Sequence, residues 1–376
     1  MKKILLYNDS DHLGGHELQM INALKYLQHK YKIIFVVSSS NYNFIDHLKE
    51  LELEIIEIDY SSNRFQIIRT LFSFSHIFNM MSILKKTNPD LIINVQGNIE
   101  LCSSILIVSK ITRHKIISYI PNCHFLTNVT KNRLVSKIKD LVNLFYYKIP
   151  DAFITLNDFN EKLIRKRNSQ SKVYKVLNSI DFKNYKFHDK STSINKLGLS
   201  EGKINIALIG RIQYWHKGHD IILSFVKKYR EQLGNFNFII VGTGEDENRM
   251  KKFITNEKLE DYFKFIGHLK DLSYLYSAVD GVIIPSRFES GLGTPMVLLE
   301  AIYYELPVLM SKLPESDNYL DLHSLFEVDN LNDLSSKFFT SIFIKNDKKL
   351  KDKVIKLHSI ERFQFEFDKV LRSYVK

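Results

Sequence analysis

The sequence is poor in cysteine and glycine and has no long apolar run free of polar residues. Only two cysteines, Cys102 and Cys123, occur in 376 residues, which gives no disulfide framework and suits a reducing compartment. Glycine occurs 14 times, about half its usual share. Where glycines cluster, the backbone is therefore expected to need them.

Signal peptides and membrane spans are not expected either. The first apolar run turns polar after seven residues, which is too short for the core of a signal peptide. The most apolar long segment, residues 65–86, contains Gln66, Arg69 and His76, whereas a membrane span needs roughly 18 or more residues with few or no charges. This segment is predicted to be a long amphipathic helix of a soluble, cytoplasmic protein.

Acidic residues are in deficit, and the formal net charge is +11. A basic excess favours anionic partners such as nucleic acid, acidic membranes or phosphorylated ligands. Residues 131–172 concentrate it, with ten Lys/Arg against four Asp/Glu. They form either a solvated helical face or a patch in peripheral contact with an anionic membrane, at the inner face of the cell membrane. Nucleic acid is not expected, because no nucleic-acid motif accompanies the charge.

Apolar strand patterns alternate with helical patterns along the chain, as in "KILLYN", "KIIFVVSS" and "DLIINV". Strands that are apolar throughout fit parallel sheets covered on both faces, so the fold class is α/β with two doubly wound, Rossmann-like domains. The polar stretch 187–203 interrupts the rhythm and is predicted as a linker. The predicted organisation is an N-terminal domain 1–186, the linker 187–203, a C-terminal domain 204–358 and a terminal helix 359–376.

The loop after the first strand, "NDSDHLGGHELQ" (residues 8–19), allows two chemistries. Its acidic and histidine side chains suit a metal ion, whereas the Gly14–Gly15 pair suits close approach of a phosphate to the backbone. The residues of the metal alternative are Asp9, Asp11, His12, His16 and Glu17.

Three loops of the second half also follow predicted strands. In "IGRIQYWHKGHD", Arg211 and Lys217 stand beside the start of a helix and suit a diphosphate, because Arg grips two oxygens and Lys adds a point charge. The alternative is a surface loop with incidental basic residues. "VGTGEDENRM" is a short glycine turn. In "PSRFESGLGTPMVLLEA", two of the scarce glycines precede a helix, and Glu289 is an unusual acid for an anion site unless it binds sugar hydroxyls.

Together these stretches resemble family 4 glycosyltransferases, which have the GT-B fold. The stretches that carry the resemblance are "GR", "KG", "VGTG", "PSRFESGLG" and "EA", in this order along the chain. The resemblance implies an acceptor-binding and a nucleotide-sugar-binding domain facing a cleft, with the terminal helix packing back on the first domain. It also implies a metal-independent, retaining hexosyltransferase. Its expected role is the synthesis of a bacterial surface polysaccharide such as capsule, O-antigen of lipopolysaccharide or exopolysaccharide.

The resemblance also assigns roles to residues. Arg211 and Lys217 would hold the donor diphosphate and stabilise the charge that develops as the glycosidic bond breaks. Glu289 would bind hydroxyls of the donor sugar and Glu300 the ribose, in a donor expected to be UDP- or GDP-linked. The remaining predicted donor contacts are Gly14, Gly15, Gly210, Gly242, Gly267, His268, Leu269, Gly291, Leu292, Gly293 and Thr294.

The first domain supplies further candidates. His124 follows a strand, and the resemblance implies a catalytic contact with the donor sugar, although a lone loop histidine is more often a plain surface residue. Gly97 and Asn98 end another strand. With His16 and Glu17 they are predicted to face the acceptor, a glycan or lipid-linked glycan.

Two alternatives on the same fold stay open: a nucleotide-sugar epimerase and a non-catalytic partner subunit. Ten residues separate Glu289 from Glu300, where the family usually has seven, and an extended Gly-Thr-Pro loop would absorb the difference. No metal cofactor is expected. The D-x-D metal site belongs to the other large glycosyltransferase fold, and Arg211 and Lys217 would neutralise the diphosphate.

Overall fold

The computed structural model describes residues 1–62, 66–129, 133–289 and 294–375. The chain forms two compact units, each built on its own parallel sheet. Unit 1 comprises Met1–Ser179 and His358–Lys376, and unit 2 comprises Ile180–Leu357. The predicted α/β class with two doubly wound sheets is confirmed.

The elements of the chain up to Ser179 are β1 (Lys3–Asn8), α1 (Gly15–Leu27), β2 (Lys32–Ser38), α2 (Tyr42–Lys49), β3 (Glu54–Ile58), α3 (Gln66–Phe72), α4 (Phe74–Thr87), β4 (Leu91–Val95), α5 (Ser104–Thr112), β5 (Ile116–Tyr119), α6 (Leu126–Val129), α7 (Arg133–Tyr146), β6 (Ala152–Thr155), α8 (Asp158–Arg167) and β7 (Val173–Lys175). Those from Ile180 onwards are α9 (Lys190–Leu197), β8 (Ile204–Ile209), α10 (Tyr214–Lys217), α11 (His219–Tyr229), β9 (Phe236–Val241), α12 (Glu247–Asn256), β10 (Phe263–Gly267), α13 (Ser273–Ala278), β11 (Gly281–Ile284), α14 (Met296–Tyr303), β12 (Val308–Ser311), β13 (Leu325–Phe326), α15 (Leu331–Ser341), α16 (Lys348–His358) and α17 (Ile360–Arg372).

The sheet of unit 1 has the order β3-β2-β1-β4-β5-β6-β7, and its strand pairs are parallel. Successive side chains of a strand point to opposite faces. In β1, Ile4 and Leu6 join the core layer that includes α1, α2 and α17, whereas Leu5 and Tyr7 join the layer that includes α4, α5 and α7. Burial on both faces explains why these strands are apolar throughout.

Helix α17 returns to unit 1 and packs against α1. Phe363, Phe367 and Leu371 lie on its buried stripe, within the same core layer as the apolar side of α1. Lys30 Nζ and Tyr31 Oη each donate a hydrogen bond to the Asp368 carboxylate, both at 2.8 Å. The expectation that the terminal helix packs on the N-terminal domain is confirmed.

The sheet of unit 2 has the order β10-β9-β8-β11-β12-β13 and is also parallel. Because parallel strands end at the same edge of their sheet, the loops after β8, β9, β10 and β11 share one edge, where ligands of open α/β sheets bind. In place of the predicted linker 187–203, the chain forms α9, capped by Asp189 and belonging to unit 2. Ile194 and Leu199 of this stretch are buried in the core of unit 2. The polar residues around them made these apolar positions hard to recognise in the sequence.

The predicted single helix 65–86 is two helices, α3 and α4. They meet at Ser73, whose hydroxyl donates to the carbonyl of Arg69 at 2.8 Å. Residue 65 itself lies outside the described residues. Among the helices that the structure describes, none combines the length and apolar character needed to cross a bilayer.

Candidate active site

An ion pair between Lys217 and Glu289 lies at the carboxyl edge of the unit 2 sheet. Lys217 Nζ lies 2.6 and 2.8 Å from the two oxygens of Glu289. Ser286 Oγ donates to Glu289 Oε1 at 2.5 Å, and Glu289 is only 6% exposed. Lys217 follows β8 and Glu289 follows β11, so the sheet order itself brings them together. The pairing of these two predicted residues was not foreseen, and neither was the contribution of Ser286.

Gly218 makes this approach possible. It adopts φ +69° between α10 and α11, and a Cβ added there would lie 1.9 Å from the carbonyl oxygen of Pro285. No side chain fits such a gap, and this φ region strains every residue except glycine. The segment carrying Lys217 is thereby seated directly on the β11 loop that carries Glu289.

Replacing Gly218 with alanine is expected to lower the free energy of unfolding by at least about 3 kcal/mol, because positive-φ strain of about 1–2 kcal/mol adds to a backbone clash. Two other glycines of unit 2 separate these causes. Gly202 has φ +84° with open space around it, and Gly234 has open space and no positive φ. Gly202→Ala should cost only the strain and Gly234→Ala close to nothing, as measured by urea denaturation. Equal losses for Gly218→Ala and Gly202→Ala would contradict the role given to Pro285.

Further glycines allow neighbouring loops at this edge of the sheet to pack closely against one another. A Cβ on Gly242 would lie 2.1 Å from the carbonyl oxygen of Gly210, and one on Gly244 would lie 2.1 Å from that of Ile212. Gly242 N also donates to the carbonyl oxygen of Gly267 at 2.7 Å. The V-G-x-G turn therefore holds the β8, β9 and β10 loops in contact. A Cβ at Gly210 would contact the Lys217 side chain at 3.7 Å, so this glycine borders the ion pair.

Two positive charges surround a neutral histidine at this edge. Arg211 is exposed, and within the described part of the chain no carboxylate pairs with its guanidinium. Burial lowers the pKa of His216 to about 4, and the charges of Lys217 and Arg211 act in the same direction. The His216 ring stacks on Phe288 with 4.1 Å between ring centroids. Near neutral pH His216 is therefore uncharged, and the cations beside it are Arg211 and Lys217.

Glu300, on α14, lies in a different environment. Tyr185 Oη donates to its Oε1 at 2.7 Å and Tyr276 Oη to its Oε2 at 2.5 Å. Burial raises the pKa of this carboxyl above its ordinary value. Both oxygens are thus engaged, and a ribose hydroxyl would have to share them with the two tyrosines.

The other donor contacts predicted in unit 2 lie along the same edge or fall outside the described residues. Gly267 ends β10 with φ +79°. His268 is exposed, and Leu269 packs against the unit 2 core. Thr294 is half-buried just before α14. The three predicted contacts outside the described residues are Gly291, Leu292 and Gly293.

In unit 1, Glu17 ties the loop after β1 to the start of α1. Gly14 N donates to Glu17 Oε2 at 2.9 Å, and Asn8 Nδ2 donates to Glu17 Oε1 at 3.2 Å. Burial works to raise the Glu17 pKa, but the hydrogen bond and charge of His16 outweigh it, and the pKa is lowered. The Glu17 side chain has no exposed surface, so it positions His16 and the loop and does not face an acceptor. The amide of Gly14 is likewise committed to Glu17, which leaves Gly15 as the exposed member of the glycine pair.

The structure brings His16 and Gly97 together. His16 Nε2 lies 2.9 Å from Glu17 Oε1, and a Cβ on Gly97 would lie 3.2 Å from His16 Cε1. Asn98 Oδ1 accepts hydrogen bonds from the amides of Glu100 and Leu101, so this side chain stabilises its own turn. Of the predicted acceptor set, His16 and Gly97 are partly exposed.

His124 is half-buried in the loop after β5, and its ring centroid lies 6.3 Å from that of Phe159. Its amide donates to Asn122 Oδ1 at 3.3 Å. The histidine therefore lies, like Gly97, beyond the carboxyl end of a unit 1 strand, on the edge where the fold places ligands.

The acidic residues of the first loop serve different purposes. Asp9 is fully buried and accepts hydrogen bonds from Tyr7 and Ser62, and Asp11 pairs with His12 at 2.6 Å. Among the described residues, no group of three His, Cys, Asp or Glu side chains is arranged to hold a metal ion. Asp9 thus belongs to a buried hydrogen-bond network that the sequence pattern did not reveal.

A segment of unit 2 matches a known protein family. Residues 189–335, which carry Arg211, Lys217, Glu289 and Glu300, match the family described as "Glycosyl transferases group 1". This segment is therefore similar to group 1 glycosyltransferase domains, and the two Rossmann-like units have the GT-B fold.

Relatives extend the likeness over most of the chain. An uncharacterized glycosyltransferase of Haemophilus influenzae is 25% identical over 297 residues, which are 79% of this chain and 76% of the relative. Anabaena HepE, solved with UDP-glucose, has a TM-score of 0.78 at 17% identity, covering 99% of this chain and 100% of the other. The lipopolysaccharide outer core galactosyltransferase WaaB has a TM-score of 0.71 at 16% identity, covering 99% of each chain. At these identities the two solved structures establish the fold alone.

Proposed function

We propose that this protein is a retaining, family 4 type glycosyltransferase that transfers a hexose from a UDP-linked donor to a glycan or lipid-linked glycan. The observation that carries the proposal is the Lys217–Glu289 pair beside the exposed guanidinium of Arg211, which pairs with no carboxylate of the described residues. Two cations and one sugar-binding acid at the carboxyl edge of a parallel sheet match the needs of a nucleotide sugar.

The resting ion pair suggests how the donor is bound. Without a ligand, the Glu289 carboxylate occupies the position of an anion against Lys217. A donor diphosphate, gripped by Arg211, would take over Lys217, because a doubly charged ligand attracts the ammonium more strongly than one carboxylate does. Glu289 then keeps its hydrogen bond from Ser286 and is released to accept hydrogen bonds from sugar hydroxyls.

The transfer step follows from the same groups. The bond between the anomeric carbon and the diphosphate oxygen breaks, and negative charge accumulates on the departing phosphate, where Lys217 and Arg211 stabilise it. The acceptor oxygen bonds to the anomeric carbon on the face that the phosphate leaves, and the acceptor proton passes to a phosphate oxygen. The configuration is therefore retained, and no metal is required for charge neutralisation. In unit 1 we assign His124 to the donor sugar and His16 with Gly97 to the acceptor.

The comparisons support the choice of donor and pathway class. HepE of Anabaena is solved with UDP-glucose, and WaaB is a galactosyltransferase of the lipopolysaccharide outer core. We therefore place this protein in the assembly of a surface polysaccharide, with a UDP-linked sugar as donor.

A thermal-shift screen against UDP-, GDP-, ADP- and CMP-linked sugars tests the donor. A UDP-linked sugar at about 100 times its Kd is expected to add about 2.7 kcal/mol, which raises Tm by several degrees. Lys217→Ala should reduce this shift, whereas Lys227→Ala should keep it, because Lys227 is an exposed lysine of unit 2 paired with Glu257 at 2.8 Å. If no nucleotide sugar shifts Tm and none is consumed, the transferase proposal is wrong and the partner-subunit alternative is favoured. Donor conversion without any acceptor would favour the epimerase.

A further inference from the structure

Helix α7 of unit 1 has its polar side buried and its apolar side exposed. The residues that face the protein are Ser136, Asp140, Asn143 and Tyr146. The residues on the opposite side are Leu134, Ile138, Leu141 and Phe145, with exposed fractions between 47% and 72%. Their spacing of four, three and four residues makes one continuous stripe, about 16 Å long at 1.5 Å per residue.

Specific contacts fix this orientation. Asp140 accepts hydrogen bonds from the amides of Leu126 and Thr127 at 2.9 and 3.1 Å and so holds α6. Lys139 pairs with Glu100 at 3.2 Å. Rotating α7 to bury its apolar stripe would break both contacts. The buried carboxylate of Glu100 would then lose its ion pair with Lys139. The stripe is therefore held outward by the fold.

The exposed charged side chains of α7 and of the residues directly after it are basic. Arg133 and Lys137 lie on α7, Lys148 follows it, and all three side chains are exposed. Lys110 of α5 lies over the Phe145 ring, 5.1 Å from its centroid. The one acid of α7 is Asp140, which is buried.

Helix α4 adds apolar surface on the same side of the sheet. Met80 and Leu84 of α4 share a core layer with Tyr146 of α7. On the solvent side of α4, Phe74 and Phe78 are exposed, one turn apart. This layer of unit 1 therefore exposes large apolar side chains from two helices.

We propose that the α7 stripe, with its basic border, docks unit 1 onto an anionic lipid bilayer, with α7 lying in the plane of the interface. An apolar helical face bordered by lysine and arginine is the pattern of interfacial helices, which bury apolar side chains among acyl chains and pair cations with headgroups. A second copy of the chain fits less well, because face-to-face packing would bring like charges together. This docking is independent of the transfer reaction and would present the protein to a lipid-linked acceptor.

Co-sedimentation of the full chain with vesicles tests the proposal. Vesicles of phosphatidylcholine with phosphatidylglycerol are expected to retain the wild type at low salt, with weaker retention in pure phosphatidylcholine or at high salt. Leu141→Glu combined with Ile138→Glu should lower the vesicle partition coefficient at least tenfold. Leu322→Glu is the matched control, because this leucine of unit 2 is similarly exposed, at 66%. Lys137→Glu with Lys148→Glu should remove the preference for anionic vesicles.

Three outcomes would overturn the proposal. They are failure of anionic vesicles to retain the wild type, equal retention of the Leu141→Glu, Ile138→Glu variant, and a wild-type dimer in sedimentation velocity that this variant dissociates. An unchanged Tm shows that each variant is folded. Lys217→Ala should bind vesicles like the wild type, so a failed donor assay and a failed vesicle assay report on separate proposals.

Discussion

Lys217→Ala is expected to lower kcat for transfer from the nucleotide sugar about 10²–10³-fold, equivalent to about 3–4 kcal/mol of transition-state stabilisation. The phosphate that leaves the sugar gains negative charge in the transition state, and the Lys217 ammonium is placed to meet it. Arg211→Ala should cause a loss of the same order, with a larger effect on KM, because Arg211 is exposed and grips the diphosphate before reaction.

Steady-state kinetics with a UDP-linked donor checks both variants. Lys227→Ala is the control for removing a lysine from an ion pair of unit 2 and should leave kcat unchanged. Among the described residues, Lys217→Ala leaves the Glu289 carboxylate with Ser286 as its remaining partner. A double-mutant cycle of Lys217→Ala with Glu289→Gln should therefore give strongly non-additive losses, since the two side chains are in contact. Near-normal turnover of either cation variant would refute the phosphate assignment.

Acidification is expected to remove the stability that depends on histidines buried in their neutral form. Burial lowers the pKa values of His219 and His358 from 6.5 to about 4. Between these values the unfolded chain binds protons that the folded chain does not, so their contribution is present above about pH 6.5 and lost as the pH falls toward 4. Each group accounts for roughly 3 kcal/mol of the change.

Urea denaturation between about pH 7 and about pH 4 measures this loss. Burial raises the pKa values of Asp9 and Glu300, so these carboxyls stabilise the fold in acid and oppose the histidines. The decisive quantity is therefore the difference between wild type and variant. His219→Asn and His358→Asn lie in different units, and each should make the free energy of unfolding less sensitive to pH by its own amount. A pH dependence identical to that of the wild type in both variants would contradict the prediction.

The edge that carries the candidate site was predictable because simple rules place it. Apolar runs mark parallel strands, parallel strands end together, and the scarce glycines and charges follow those ends. The sequence therefore pointed to Arg211, Lys217 and Glu289 as candidates, and the roles that the family resemblance gives them stay predictions. Their arrangement was not, because the ion pair depends on the close approach of Gly218 to Pro285, a contact between residues far apart in the chain.

The sequence did not show which side of a polar or apolar pattern is buried. Glu17 was predicted to face an acceptor, yet Asn8 and the amide of Gly14 hold it inside unit 1. Glu300 similarly meets Tyr185, 115 positions away in sequence. For α7 the periodicity shows an apolar stripe but not its direction, which the bond from Asp140 to the α6 backbone decides. Such choices are made by tertiary partners that no local pattern contains.

The return of α17 to unit 1 has a consequence for biosynthesis. The ribosome delivers the whole of unit 2 before the residues that complete the α1 layer, so the second sheet can fold while the first still lacks Phe363, Phe367 and Leu371. Nascent domains generally fold as units in order of synthesis. Here the synthesis of unit 1 begins first, but its core is completed last. Until α17 has been synthesised, the part of α1 that it covers stays exposed, and chaperones that bind apolar surface are expected to contact it there.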